Sequence, residues 1–235
     1  MTAPVTSTAR LYIIATPIGN LKDITYRAVE TLGTVFLIAA EDTRHTKILL
    51  NHYAIKTPVL SYYEHNRFTR IPQILEHLRE GRSVAVVTDA GTPGISDPAY
   101  RLIRSAIEAD IPVEAIPGAS AFLTALVSSG LPTDSFKFVG FLPPKKGRMG
   151  KLRDLADNTE TLVFYESPHR ILKTLQDIHD TIGNRPAVIG RELTKIHEEI
   201  RRGTVRDLIQ IYTKKKPLGE FVLIIGKDDA NVYFK

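Results

Sequence analysis

One local pattern recurs through the first half of the chain and constrains the fold more than any other feature: a short, unbroken apolar run followed at once by a turn of unusual residues. LYIIA (11–15) leads into TPIGNLKD (16–23), VFLIAA (35–40) into EDTR (41–44), VAVVT (84–88) into DAGTPGISD (89–97), and VEAI (113–116) into PGASA (117–121). A shorter run, VLS (59–61), precedes EHN (64–66). Apolar runs without alternation are the mark of strands covered on both faces. Amphipathic helices fall between them. In 69–80, Ile71, Ile74, Leu75 and Leu78 share a face and Gly81 supplies a stop. Another helix starts at Asp97-Pro98 and runs through Leu102, Ile103 and Ile107. Alternating β and α predicts a mostly parallel sheet with helices on both faces, whose ligands bind beyond the carboxyl ends of the strands. The four special turns therefore mark the functional edge.

The second half reads as a separate α/β unit with a mixed or antiparallel sheet. Strands are expected at 136–141, 161–165, 187–189, 199–205 and 221–225, and helices around 151–156, 171–182 and 205–212. The expected organisation is a flexible N-terminus (1–10), a first α/β domain (11–131) and a second (132–235), with the boundary near GLPTDS (130–135). Residues 1–131 hold 12 Lys+Arg against 12 Asp+Glu, and residues 132–235 hold 19 against 14, so the whole net charge of +5 lies in the second half. A polyanionic partner contacted there fits that asymmetry. PPKKGRMGK (143–151) reads as a mobile basic loop.

Several function classes drop out. The chain has no cysteine, which excludes disulfides, thiolate catalysis and Cys-ligated metals and suits a reducing cytoplasm. Its seven histidines form no HExxH pair, so no metal site is expected. No apolar run approaches the ~20 residues a bilayer requires. TPIGN is not the GxGxxG of a dinucleotide site, and neither GxxxxGK[ST] nor GxSxG occurs. In DAGTPGISD, Gly91 and Gly94 permit positive φ, Pro93 stiffens the turn, and Asp97 suits a helix cap. Such a loop can offer backbone groups to the edges of an adenosyl moiety.

TPIGNLKD, AEDTRHT, DAGTPGISDP, PGASA, GFLP, FYESPHR and GREL-TK-HEE together resemble the tetrapyrrole methylase superfamily, from about Leu11 to Gly226. Within it the chain is similar to the branch that modifies small-subunit ribosomal RNA. The resemblance implies S-adenosylmethionine as methyl donor and the ribose 2′-oxygen of a cytidine in 16S rRNA as acceptor. It further implies a cytoplasmic homodimer of two-domain protomers with the donor in a cleft between domains. Matched to the family's motifs, the donor contacts are Pro17 and Ile18, then Ala90, Gly91, Thr92 and Ile95, and Ser120 with Ala121. Tyr165, Glu166, Glu192 and Leu193 are the corresponding second-domain positions. Many relatives carry Asp where Thr92 stands, so one acidic contact is missing.

A ribose hydroxyl is a poor nucleophile, so a base or a cationic stabiliser would help methyl transfer to it. Asp42 is the first candidate, and Glu64 and His65 are the second. The competing structural reading of Asp42 is a helix cap or a pair with Arg44. Candidate RNA contacts are Arg44, Lys145, Lys146, Arg148, Lys151, His169, Arg170, Arg201 and Arg202, with Lys214–Lys216 as a further patch. Two alternatives remain at this point: a small-molecule (tetrapyrrole) methyltransferase, and a non-catalytic RNA-binding assembly factor on the same fold.

Overall fold

The computed structural model describes residues 9–234. Most of the expected N-terminal tail, 1–8, lies outside the described residues. Contacts divide the chain into two compact units after Ser120.

The first unit is built on β1 (Leu11–Ile14), β2 (Leu37–Ala40), β3 (Val59–Ser61), β4 (Val84–Val87) and β5 (Val113–Ile116). These form one sheet in the order β3-β2-β4-β1-β5, every pairing parallel. Four helices connect them: α1 (Tyr26–Thr34), α2 (Thr43–His52), α3 (Arg67–Arg79) and α4 (Ala99–Glu108). Ala28 and Leu32 of α1 and Leu50 of α2 pack with Ile14, Ala85 and Val87 on one face of the sheet. Ile74, Leu75 and Leu78 of α3 and Leu102 and Ala106 of α4 pack with Leu11, Val84 and Val86 on the other. Burial on both faces is why β4 reads VAVV, with no polar position to spare. Each such fully buried aliphatic side chain is worth about 1.5–3 kcal/mol over exposure.

The two faces fix the functional edge. The chain leaves β1 for β2 by way of α1, and leaves β4 for β5 by way of α4, on opposite faces. β1 and β4 are neighbours. Their carboxyl ends therefore form the topological switch point, where open parallel sheets open a crevice.

The second unit holds α5 (Ala121–Ser129), β6 (Phe136–Phe141), α6 (Arg148–Arg153), β7 (Thr161–Glu166), α7 (Ile171–Thr181), β8 (Pro186–Arg191), β9 (Glu199–Thr204), α8 (Val205–Lys214) and β10 (Phe221–Ile225). Its sheet runs β6-β7-β10-β8-β9. Only β6 and β7 pair in parallel, and the other pairings are antiparallel. The mixed sheet is as expected. The division of the chain differs: α5 packs on β7, β8 and β10, so the second unit begins at Ala121 rather than at residue 132. Gly190 of β8 makes this packing possible, since a Cβ there would meet the Ala125 Cβ at 3.3 Å. The structure also forms α1, which is absent from the sequence reading, and turns residues 148–151 of the expected loop into the start of α6. Among the described residues, no helix is long and apolar enough to cross a membrane.

Candidate methyl-donor site on the first sheet

Three loops meet at the carboxyl edge and are tied together by backbone. Thr16 and Gly91 exchange hydrogen bonds, Thr16 N to Gly91 O at 2.9 Å and Gly91 N to Thr16 O at 3.0 Å. The Thr16 hydroxyl also donates to the Thr88 carbonyl at 3.0 Å. The loops after β1 and β4 thus behave as one piece at the switch point. The loop after β5 joins them, with the Thr92 hydroxyl donating to the Ala119 carbonyl at 3.1 Å. Gly118 lets it approach: a Cβ there would sit 2.9 Å from the Ala15 Cβ, closer than carbon atoms pack.

Within DAGTPGISD, Gly91 and Gly94 have φ of +85° and +90°, where an L side chain costs roughly 1–2 kcal/mol. Both carboxylate oxygens of Asp97 accept the Gly94 N–H at 2.9 Å, and one accepts the Ala99 N–H at 2.8 Å. Asp97 therefore closes the loop and, from the residue before the N-cap position Pro98, takes the N–H of the first residue of α4. Behind it, the buried Tyr62 donates its hydroxyl to the Pro98 carbonyl at 3.0 Å. Desolvation pushes the Tyr62 pKa up to about 12, so it stays a donor. Pro17 and Ile18 are buried, with Ile18 beside Gly91, whereas Ala90 and Ile95 are exposed. Backbone groups and small side chains reach the surface here beside Ile95, an arrangement able to present backbone donors and acceptors to a ligand. Pro17, Ile18, Ala90, Gly91, Thr92, Ile95 and Ser120 gather along this edge. The Thr92 hydroxyl serves as the tie to the β5 loop.

The loop after β2 is tied in from the other side. The Asp42 N–H donates to Asp89 Oδ1 at 3.0 Å, and the Thr88 hydroxyl donates to Glu41 Oε2 at 2.7 Å. Glu41 and Asp89 are site-edge carboxylates that the sequence reading left out. Their signal is an acidic residue directly after a buried strand. Asp42 caps α2 by accepting the Arg44 N–H at 2.8 Å and accepts from the Arg44 guanidinium at 3.1 and 2.7 Å. The hydrogen bonds from Arg44 hold the Asp42 carboxyl well below the usual carboxylate range. Glu64 is exposed and ion-paired with Arg67. His65 is exposed beside Tyr63, their rings 6.2 Å apart.

In the second unit several expected ligand contacts have partners of their own. Glu166 is 3% exposed and accepts from the Thr174 hydroxyl at 2.6 Å and the Ser167 N–H at 2.8 Å. Arg170 and Arg148 lie 3.4 and 3.9 Å from it. Both carboxylate oxygens are thus engaged within the second unit. Glu192 has φ of +49° and accepts from the Glu220 N–H at 2.9 Å and Lys195 at 3.0 Å, while Leu193 is buried against Gly190. The half-buried Tyr165 accepts the Phe122 N–H at the start of α5 at 3.3 Å, and Ala121 is the first residue of that helix.

The expected RNA surface divides the same way. Arg148 is buried and bound to Asp177 and Thr174 at 2.7 and 2.8 Å, which corrects its placement on a mobile loop. Lys151 donates to the Val139 carbonyl at 3.2 Å, and Arg170 to the Leu142 carbonyl at 2.6 Å. Arg202 caps α5 through the Ser128 and Ser129 carbonyls. Arg201 pairs with Glu199, and Arg44 with Asp42. Lys145, Lys146, His169 and Lys214–Lys216 are exposed.

A family model for tetrapyrrole (corrin/porphyrin) methylases matches residues 10–209, most of the chain. The chain belongs to the tetrapyrrole methylase family. The methylase fold extends to a cobalamin biosynthetic enzyme, cobalt precorrin-4 methyltransferase, with a TM-score of 0.71 at 20% identity over 96% of this chain and 98% of that one. A uroporphyrin-III-C-methyltransferase from Thermus thermophilus superposes with a TM-score of 0.67 at 20% identity, covering 93% and 94%. Similarity is far higher to methylases named ribosomal RNA small subunit methyltransferase I. The Synechocystis protein is 52% identical over 92% of this chain and 78% of its own length. The Thermotoga maritima protein is 50% identical over 93% and 99%. The chain is accordingly a methyltransferase, and its methyl donor is S-adenosylmethionine.

Proposed function

We propose that this methyltransferase modifies small-subunit ribosomal RNA in the cytoplasm, at the ribose 2′-oxygen of a cytidine. The observation that carries the reading is the 50% identity with the Thermotoga rRNA methyltransferase across essentially that protein's whole length. The likeness to tetrapyrrole enzymes stands at 20% identity and supports the fold alone. The small-molecule reading is correspondingly weaker. The intact donor edge argues against a non-catalytic assembly factor.

In this reading Pro17, Ile18, Ala90, Gly91, Thr92, Ile95, Ser120 and Ala121 hold the donor. Bound S-adenosylmethionine supplies a methyl group already activated on a sulfonium. The protein's part is to orient and exclude water. The Thr16–Gly91 bonds, the Thr92–Ala119 tie and Asp97 keep the ledge fixed, so alignment costs little at the moment of reaction. Asp42, with its depressed pKa, orients the α2 loop and Arg44 instead of accepting the hydroxyl proton. Arg44, almost fully exposed, is suited to a phosphate or to charge developing on the acceptor oxygen. Lys145, Lys146, His169 and Lys214–Lys216 are the exposed positions for backbone phosphates.

The deciding assay is methyl transfer from labelled S-adenosylmethionine to purified small subunits and to free 16S rRNA, followed by nucleoside analysis. Label in 2′-O-methylcytidine is expected. Label on a base, or none on either RNA with transfer to a porphyrinoid, overturns the reading. Sedimentation at micromolar concentration tests the homodimer that belongs to it.

A further inference from the structure

We propose that Glu166, Arg148 and Arg170 form a buried latch that sets the loop between β6 and α6 and so presents Lys145 and Lys146 as a preorganised phosphate-binding pair. The inference rests on the RNA reading above. The loop leaves β6 at Phe141 and enters α6 at Arg148, and Pro144–Gly147 are exposed. Its first end is held by the two guanidinium groups, and its second is fixed by Arg148 itself, anchored beneath the loop. Arg170 Nη2 donates to the Leu142 carbonyl at 2.6 Å and to the Pro143 carbonyl at 3.4 Å. Arg148 Nη1 reaches the same Pro143 carbonyl at 3.5 Å, and its backbone N–H donates to the Lys145 carbonyl at 3.3 Å. Pro143 and Pro144 stiffen the first half of the turn, and Gly147, at φ +81°, reverses the chain into the helix.

The guanidinium groups are fixed from beneath. Glu166 at the end of β7 faces both. Thr174 on α7 bridges the system, donating to Glu166 at 2.6 Å and accepting from Arg148 at 2.8 Å. Asp177, one turn further along α7, takes Arg148 Nε at 2.7 Å and is neighboured by Lys173 at 3.5 Å. Charge decides the roles. Two guanidinium groups face two carboxylates, so the buried cluster has little net charge to offer an anion. The positive charge of the tip belongs to Lys145 and Lys146, whose side chains make no ion pair or hydrogen bond among the described residues. A buried ion cluster seldom stabilises more than apolar packing of equal volume would. What it does provide is fixed backbone geometry, here at Leu142, Pro143 and Lys145. The three cluster residues are positioning residues, and the lysines make the contact.

The test is equilibrium binding of a 16S rRNA transcript to the full chain at several KCl concentrations. Each phosphate contact contributes about 0.7–0.9 to the slope of log K against log salt, so K145A/K146A should lower the slope by about 1.4–1.8. Arg148→Met should reproduce most of that loss, and adding it to the lysine pair should cost little more, because the contacts it positions are then already gone. Arg148→Lys should resemble Arg148→Met: it keeps the charge but cannot span Asp177, Thr174 and Pro143 together. Donor affinity by calorimetry should be unchanged in all of them. Should Arg148→Met fail to fold, Thr174→Val removes only the bridging hydroxyl and should shift the slope in the same direction. A wild-type slope in Arg148→Lys, or additive losses in the triple variant, overturns the latch while leaving the RNA reading intact. A wild-type slope in K145A/K146A overturns the RNA surface itself.

Discussion

Gly118→Ala tests the claim that the donor edge is a single rigid piece. A Cβ at position 118 would lie 2.9 Å from the Ala15 Cβ, whereas non-bonded carbons settle at about 3.5–4.0 Å. The β5 loop must therefore retreat from the end of β1 by about 0.6–1.1 Å. Ala15 is buried and backed by the sheet, so the motion falls on Ala119 and Ser120, and through the Thr92–Ala119 bond on the glycine loop. Overpacking of this kind costs about 1–3 kcal/mol of stability. Misplacing a binding ledge by about 1 Å costs on the order of 10- to 100-fold in what depends on it. Isothermal titration with S-adenosylmethionine should show a weakening of that order. The decisive variant is Ala15→Gly combined with Gly118→Ala, which removes the opposing methyl and should restore most of the affinity. Wild-type affinity in the single variant, or no recovery in the double, would refute the reasoning.

Three further outcomes follow from the same geometry. Asp97→Ala removes the acceptor for Gly94 and Ala99 and should cost about 1–3 kcal/mol in urea denaturation, as loss of hydrogen bonds to a charged group does, with a clear drop in donor affinity; a stability loss without any change in donor binding would show that the loop does not hold the ligand. Glu166→Ala removes the buried acceptor for Thr174 and Ser167 and a carboxylate facing Arg148 and Arg170, and should destabilise by about 1–3 kcal/mol, measured by urea denaturation of the full chain; a loss below about 1 kcal/mol would mean that Asp177 and solvent satisfy the cluster without it. The Asp42 pKa lies below its unfolded value because Arg44 hydrogen-bonds the ionised form, so its stabilisation is fully present above the ordinary carboxylate range and fades only as pH falls toward the folded value. Asp42→Asn should therefore leave the shape of the pH–rate profile above pH ~5 unchanged, and loss of an ascending limb in that variant would restore Asp42 as the base.

How much of this was legible in the chain varied with how local the cause was. The strands of the first sheet were readable because both faces of each are buried, which forces unbroken apolar runs such as VAVV in β4. Their turns were readable because positive φ at Gly91 and Gly94 is a property of those residues themselves. α1 is harder to read, since only Ala28 and Leu32 of it are fully buried. α5 has an apolar sequence on all sides, and nothing local says which of two sheets it joins.

DAGTPGISD shows where the division falls. The sequence by itself determined a stiff glycine–proline turn at a strand end and the parallel sheet beneath it, because backbone preference and burial pattern act over a few residues. Only the tertiary structure decided which neighbours complete it: Thr16 from the first strand, Ala119 from the fifth and Asp42 from the second. The same holds for the arginines. Arg148 and Arg202 are, as residue types, good phosphate ligands. Arg148 instead meets a carboxylate 29 positions away and Arg202 a carbonyl 73 positions away. A long cationic side chain takes whatever acceptor folding brings within reach, and that acceptor is not encoded beside it.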